Sequence, residues 1–135
     1  MEARIALITI LTNDAPRLAT FYRKVLGFEV TDDMGQYVEL ANEGVRFAIC
    51  ERSIMSEATG HEAYQAASSG QAFELAFPCH SPQAVDAAYE RIVANGATPI
   101  KEPATMPWGQ RTAFFADPEG NIHELFADLP AGDSE

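Results

Sequence analysis

Little in this chain of 135 residues has the pattern of covalent chemistry, and the residues that stand out are acidic. The sequence contains no GxGxxG, no phosphate-binding P-loop and no GxSxG. Cys50 and Cys79 form no CxxC and no framework of pairs, so both read as reduced thiols of a cytoplasmic protein. Two glutamates occupy matched places in a repeated pattern. Glu74 lies seven residues before a helix cap, and Glu124 lies four residues after a turn glycine. The histidines His61, His80 and His123 fall at neither place, and strand alternation turns His123 to the face opposite Glu124. Two ionised carboxylates about 4 Å apart repel by roughly 4 kcal/mol at an effective dielectric near 20. A metal ion, a protein guanidinium, a shared proton or a cationic ligand group would relieve that repulsion.

The bulk composition narrows the classes of partner. With 47% hydrophobic and 21% charged residues, the length suits one compact domain or two half-size modules. Nine basic residues against 20 acidic ones leave a net charge of −11. That field repels nucleic acid and anionic membrane and attracts a small cation, although an acidic surface also serves solubility alone. No apolar run approaches the roughly 20 residues that a membrane span needs. The start, MEARIALITIL, reads as a first strand rather than a secretory signal.

The elements that position the glutamates come in two sets. Arg4 to Leu11 is apolar and β-branched, hence a strand. Asp14 caps a helix with Pro16 in its first turn, Leu18, Phe21, Tyr22 and Val25 form its apolar stripe, and Gly27 ends it. Strands follow at Phe28–Thr31, Gln36–Ala41 and Val45–Glu51, the last two joined by the turn Asn42-Glu43-Gly44. Residues 52–71 read as a polar connection with room for a short helix near 61–67. Then the order recurs: a strand at Ala72–Pro78, a helix from Ser81-Pro82 to Gly96, and strands at Thr98–Lys101, Gln110–Ala116 and Ile122–Ala127. The domains predicted are a first module over 1–51, a connection over 52–71, a second module over 72–128 and a loose tail over 129–135.

The halves also align in register. Leu7 precedes its cap Asp14 by the same seven residues that separate Glu74 from Ser81. Ala48 follows Gly44 by the same four that separate Glu124 from Gly120. A repeated supersecondary unit buries its apolar face by packing against its copy, so duplication is the main structural inference.

Four segments carry a family resemblance: FYRKVLGFEV (21–30), AFELAF (72–77), PWGQR (107–111) and DPEGNIHELF (117–126). In this order, on a duplicated βαβββ pattern, they resemble the vicinal oxygen chelate superfamily of glyoxalases, bleomycin-resistance proteins and extradiol dioxygenases. The resemblance spans residues 3–128. It implies an α+β fold of two βαβββ modules in a curled, partly open mixed sheet, helices on the convex face, and a small-molecule site on the concave face. It also implies a homodimer. Fold alone does not fix activity, so the site rests on residues.

Metal-using members of that superfamily carry ligands on the first and last strands of each module. Those places here are Leu7 and Ala48 in one module, and Glu74 and Glu124 in the other. Leucine and alanine cannot ligate, so the metal set reduces to Glu74 and Glu124, where a catalytic centre takes at least three protein ligands. A divalent cofactor such as Mn, Mg, Ni or Zn would be held incompletely, and iron of the facial-triad type would lack its histidines. Arg46 shares strand parity with Ala48, and Arg111 is a second cation able to pair with the glutamates. By alternation the ligand-binding lining is Leu7, Thr9, Arg46, Ala48, Cys50, Glu74, Ala76, Ile122 and Phe126; Arg111 joins it as the second candidate cation, and Trp108 because the resemblance implies that its place borders the cavity. Each has a plainer alternative: Trp108 and Phe126 as core or interface packing, Cys50 as an inert buried thiol, the glutamates as a structural pair. Two functions remain open. One is binding of a small organic molecule without a complete metal site. The other is a metal-dependent lyase, isomerase or dioxygenase with Glu74 and Glu124 as ligands and Glu124 the best catalytic candidate.

Overall fold

Asp14 and Ser81 begin the two long helices in the same way. Asp14 Oδ1 accepts the Arg17 N–H at 3.1 Å, and Ser81 Oγ accepts the Ala84 N–H at 3.1 Å. A proline follows each cap in the first turn, where its missing N–H costs nothing. The structure is a computed structural model in which residues 1–131 are described. It divides into two units, Met1–Ser69 and a second from Gly70 onward.

In the first unit, strand β1 (Leu7–Thr12) leads to helix α1 (Ala15–Lys24), and strands β2 (Val30–Asp33), β3 (Tyr37–Leu40) and β4 (Arg46–Glu51) complete the module. The sheet runs β1-β4-β3-β2, with β1 parallel to β4 and the other pairs antiparallel. Helix α1 buries Leu18, Phe21 and Tyr22, and the Tyr22 ring meets Phe47 of β4 edge-on at 5.5 Å between centroids. Phe47 and Ile49 therefore face the helix, and Arg46, Ala48 and Cys50 alternate onto the opposite, helix-free face. Glu51 ties the ends of the module together, its carboxylate accepting the Ala15 N–H at the start of α1 and the Gln36 side chain.

Residues 52–71 correct the expected position of the connecting helix. Helix α2 covers Arg52–Thr59 and follows β4 directly, ending where Gly60 adopts a left-handed φ of 69°. Only a short 3-10 turn, Glu62–Tyr64, lies in the expected region, with His61 Nδ1 accepting the Ala63 N–H. Ile54 and Met55 supplied apolar spacing that the polar composition of the segment masked.

The second unit repeats the plan: β5 (Ala76–Pro78), α3 (Pro82–Ala94), β6 (Thr98–Met106), β7 (Gln110–Ala116) and β8 (Ile122–Asp128). Its sheet runs β5-β8-β7-β6, again with one parallel pair, β5 with β8. Helix α3 buries Val85 and Ile92. The hairpin turn into β8 is built on Asp117, whose Oδ1 accepts N–H groups from Glu119 and Asn121.

Four strands moved by two residues or more. Residues Arg4–Ala6 are exposed and β1 starts only at Leu7; β2 covers Val30–Asp33 rather than Phe28–Thr31; β6 runs on to Met106; and β5 starts at Ala76 rather than Ala72. The tail is fastened where it begins, since the Leu129 N–H bonds Gly109 O at 3.0 Å. Residues 132–135 of the expected loose tail lie outside the described residues.

Candidate functional site

Glu124 sits mid-strand on β8, paired in register with Ala76 of β5 and Phe114 of β7. Directly opposed residues share a face, so Ile122, Glu124 and Phe126 stand with Thr112 and Phe114 on the helix-free side of this sheet. The alternate residues His123, Leu125 and Ala127 are buried on the α3 side. His123 is there with Phe115 and Phe77 rings around it, as alternation required.

Glu74 precedes β5, in a stretch that no regular ladder holds. Side chains hold it instead. Gln71 Nε2 donates to Ile122 O at 2.8 Å, and the Ile122 N–H donates to Gln71 Oε1 at 3.2 Å. The Leu75 N–H donates to His123 Nδ1 at 3.1 Å, and the Glu124 N–H donates to Leu75 O at 2.9 Å. The accepting Nδ1 leaves the neutral imidazole proton on Nε2. These four bonds lay residues 71–75 alongside β8 and bring the Glu74 carboxyl to that of Glu124.

The two carboxyls are close enough to interact electrostatically. Burial pushes the Glu124 carboxyl above the ordinary carboxylate range, and the neighbouring charge and hydrogen bond of Glu74 push it the same way. Nearby on the same face, the Thr112 hydroxyl is fully buried and has no hydrogen-bond partner among the described residues.

Neither candidate arginine is spent on this pair. Arg111 turns to the α3 side, where its Nε and Nη2 bond Asp86 at 2.7 and 3.1 Å and its Nη1 bonds Thr105. The sequence placed Arg111 among the ligand-binding lining; the β7 register instead sets it opposite Ala127, on the helix-covered face. Two shallow clefts of about 270 and 330 Å³ flank this ion pair on that same side.

In the first unit the helix-free face carries Leu7 and Thr9 of β1, Arg46, Ala48 and Cys50 of β4, and Tyr37 and Glu39 of β3. Arg46 holds Glu39, with Nε to Oε2 at 2.8 Å and Nη2 to Oε1 at 2.7 Å, and the Tyr37 hydroxyl donates to Glu39 Oε1 at 2.9 Å. The guanidinium, followed by the phenol, holds the Glu39 carboxyl down at about 2. Cys50 is buried, and that burial pushes its thiol up, as expected of an inert sulfur rather than a nucleophile. Trp108 stands at the β6–β7 turn, 63% exposed, with its indole N–H on Gln110 Oε1. It packs into no core.

The sequence reading missed Glu39, Tyr37, Gln71 and Thr112. Glu39 was recoverable. The Asn42-Glu43-Gly44 hairpin sets Glu39 against Ala48, diagonal to Arg46. Gln71 was not, because its role is that of a missing strand residue.

The register makes the two modules equivalent residue by residue. Thr9 faces Ala48 as Ala76 faces Glu124, so Leu7 and Ala48 are the counterparts of Glu74 and Glu124. A model of the glyoxalase/bleomycin resistance protein/dioxygenase superfamily matches residues 4–125. The chain belongs to this superfamily. The YraH protein of Bacillus subtilis, of uncharacterised function, is 25% identical over 130 residues, covering 93% of this chain and 99% of its own. A superfamily structure from Nocardioides is 30% identical at a TM-score of 0.84, covering 98% of this chain and 87% of that one. Another, from Burkholderia phytofirmans PsJN, is 26% identical at a TM-score of 0.83, covering 94% and 100%. Leu7 and Ala48 offer no side-chain donor atom, and among the described residues no three His, Cys, Asp or Glu form a group that could hold a metal.

Proposed function

We propose that this superfamily member binds a small organic molecule on the helix-free face of its second module, with Glu74 and Glu124 as the polar recognition pair. The observation that carries the reading is the neighbouring Glu74 and Glu124 carboxyls on a face shared with apolar side chains, with Glu124 pushed up by burial and then by Glu74. Ile122, Phe114 and Phe126 supply walls that desolvate a ligand, and the carboxyls supply hydrogen-bonding oxygens. A cationic or hydrogen-bond-donating group is the natural complement, because it relieves the repulsion between the two carboxyls and satisfies both. The net charge of −11 draws such a group in. The reading includes a homodimer, which sedimentation equilibrium tests.

A fragment screen followed by carboxyl-carbon NMR decides the matter. Saturable shifts at Glu74 and Glu124, lost in Glu124→Gln, are expected from amine or amide fragments. A screen in which no fragment moves these resonances sinks the proposal. Stoichiometric stabilisation by Mn²⁺, Zn²⁺ or Ni²⁺ that Glu74→Gln abolishes would favour the metal-dependent lyase, isomerase or dioxygenase instead.

A further inference from the structure

The first module carries a second polar cluster, on β3 and β4, that the acidic pair does not account for. Its asymmetry is informative. The Glu39 side chain is 17% exposed, while the Arg46 side chain it grips is 63% exposed. Screened surface ion pairs commonly leave both ends in water; here the carboxylate is sunk in the sheet and the guanidinium stands above it. Glu39 occupies one edge of the guanidinium through Nε and Nη2, which fixes the plane of the fork. Tyr37 fixes Glu39 in turn. Of the five N–H donors of an arginine, Glu39 takes two. The rest of the fork is left on the exposed side.

The fold does not demand this cluster. The register-equivalent places in the second module hold Ile122, Phe114 and Thr112 in place of Arg46, Glu39 and Tyr37. The second module builds the same sheet without an arginine, a glutamate or a tyrosine there, so the βαβββ plan does not require the triad.

We propose that the Arg46–Glu39–Tyr37 triad is an anchor for the carboxylate of a small organic acid. A planar carboxylate matches the free edge of the guanidinium, and the fork is already oriented, so little side-chain freedom is lost on binding. The Arg46–Glu39 pair is neutral as a unit, which suits a monoanion better than a dianion. Leu7, in register with Arg46 on β1 and partly exposed, offers hydrocarbon for the body of the acid. This site lies in the first module and does not depend on the acidic pair of the second.

Sodium benzoate titrated into the full chain is the test, with benzamide as the neutral match, benzylamine as the cationic match and inorganic phosphate as the dianion. Saturable shifts are expected at the Arg46 side-chain N–H and at the backbone amides of Leu7 and Ala48, with benzamide at least tenfold weaker. Arg46→Lys keeps the charge but not the fork, and should weaken benzoate at least tenfold with unchanged far-UV circular dichroism. Tyr37→Phe, which removes one hydroxyl, should weaken it several-fold. Equal binding of benzamide, tighter binding of phosphate, full retention in Arg46→Lys, or no saturable benzoate shift would each overturn the anchor. None of these results bears on fragments that shift Glu74 and Glu124, so the two proposals fail separately.

Discussion

The side-chain amide of Gln71 pairs with both backbone groups of Ile122, donating to its carbonyl at 2.8 Å and accepting its N–H at 3.2 Å. It does for β8 what a residue of an adjacent strand would do, five residues upstream of the point where β5 begins at Ala76. Glu74 lies inside that bridged stretch, so its position depends on a surface glutamine.

Gln71→Ala should therefore release residues 71–75 without unfolding the sheet. Hydrogen bonds of this kind contribute about 0.5–1.5 kcal/mol each, and exposure places these at the low end. A fall in Tm of about 2–4 °C is expected by calorimetry. The more specific outcome is electrostatic: with Glu74 no longer held, the Glu124 carboxyl should titrate closer to the ordinary range in carboxyl-carbon NMR. An unchanged Glu124 titration in a folded Gln71→Ala protein would show that the bridge does not set the pair.

The Glu124 pair has its own pH signature. The folded-state pKa of Glu124 is raised, so its protonated form favours the fold, and that contribution is lost as pH rises through the raised value. Glu124→Gln removes the charge and keeps the shape. The variant should match the wild type near pH 4, exceed it in Tm by about 1–3 °C near pH 7, and show a flatter pH profile between. Equal Tm values at pH 7 would mean that folding does not raise the Glu124 carboxyl.

Glu39 runs in the opposite sense. Its carboxyl is depressed to about 2 by Arg46 and Tyr37, from an ordinary 4.5. A depressed acid stabilises the fold above its unfolded-state value and loses that contribution as pH falls toward the folded-state value. Urea midpoints of the wild type should therefore drop between pH 4.5 and 2 more than those of Glu39→Gln. Parallel drops in the two proteins would remove Glu39 from the acid response.

The parts of this fold legible in the sequence are those set by neighbours along the chain. Asp14-Ala15-Pro16 and Ser81-Pro82 cap their own helices, and Asp117 organises its own turn. Alternation placed His123 and Glu124 on opposite faces because a strand has a period of two wherever it lies. Local pattern could not place Arg111, since parity fixes which residues share a face but not which face meets the helix. Asp86, 25 residues away on α3, captured it.

By itself, then, the sequence determined the duplicated βαβββ order, the matched positions Leu7, Ala48, Glu74 and Glu124, and the loss of ligating atoms at the first two. These follow from local periodicity and residue chemistry. Tertiary structure alone decided which cation meets which anion: Arg46 with Glu39 and Arg111 with Asp86, with neither arginine on Glu74 or Glu124. Ion pairs form between groups distant in sequence, at separations of a few ångströms that only strand register and helix packing set, and charge type alone cannot choose among the available partners.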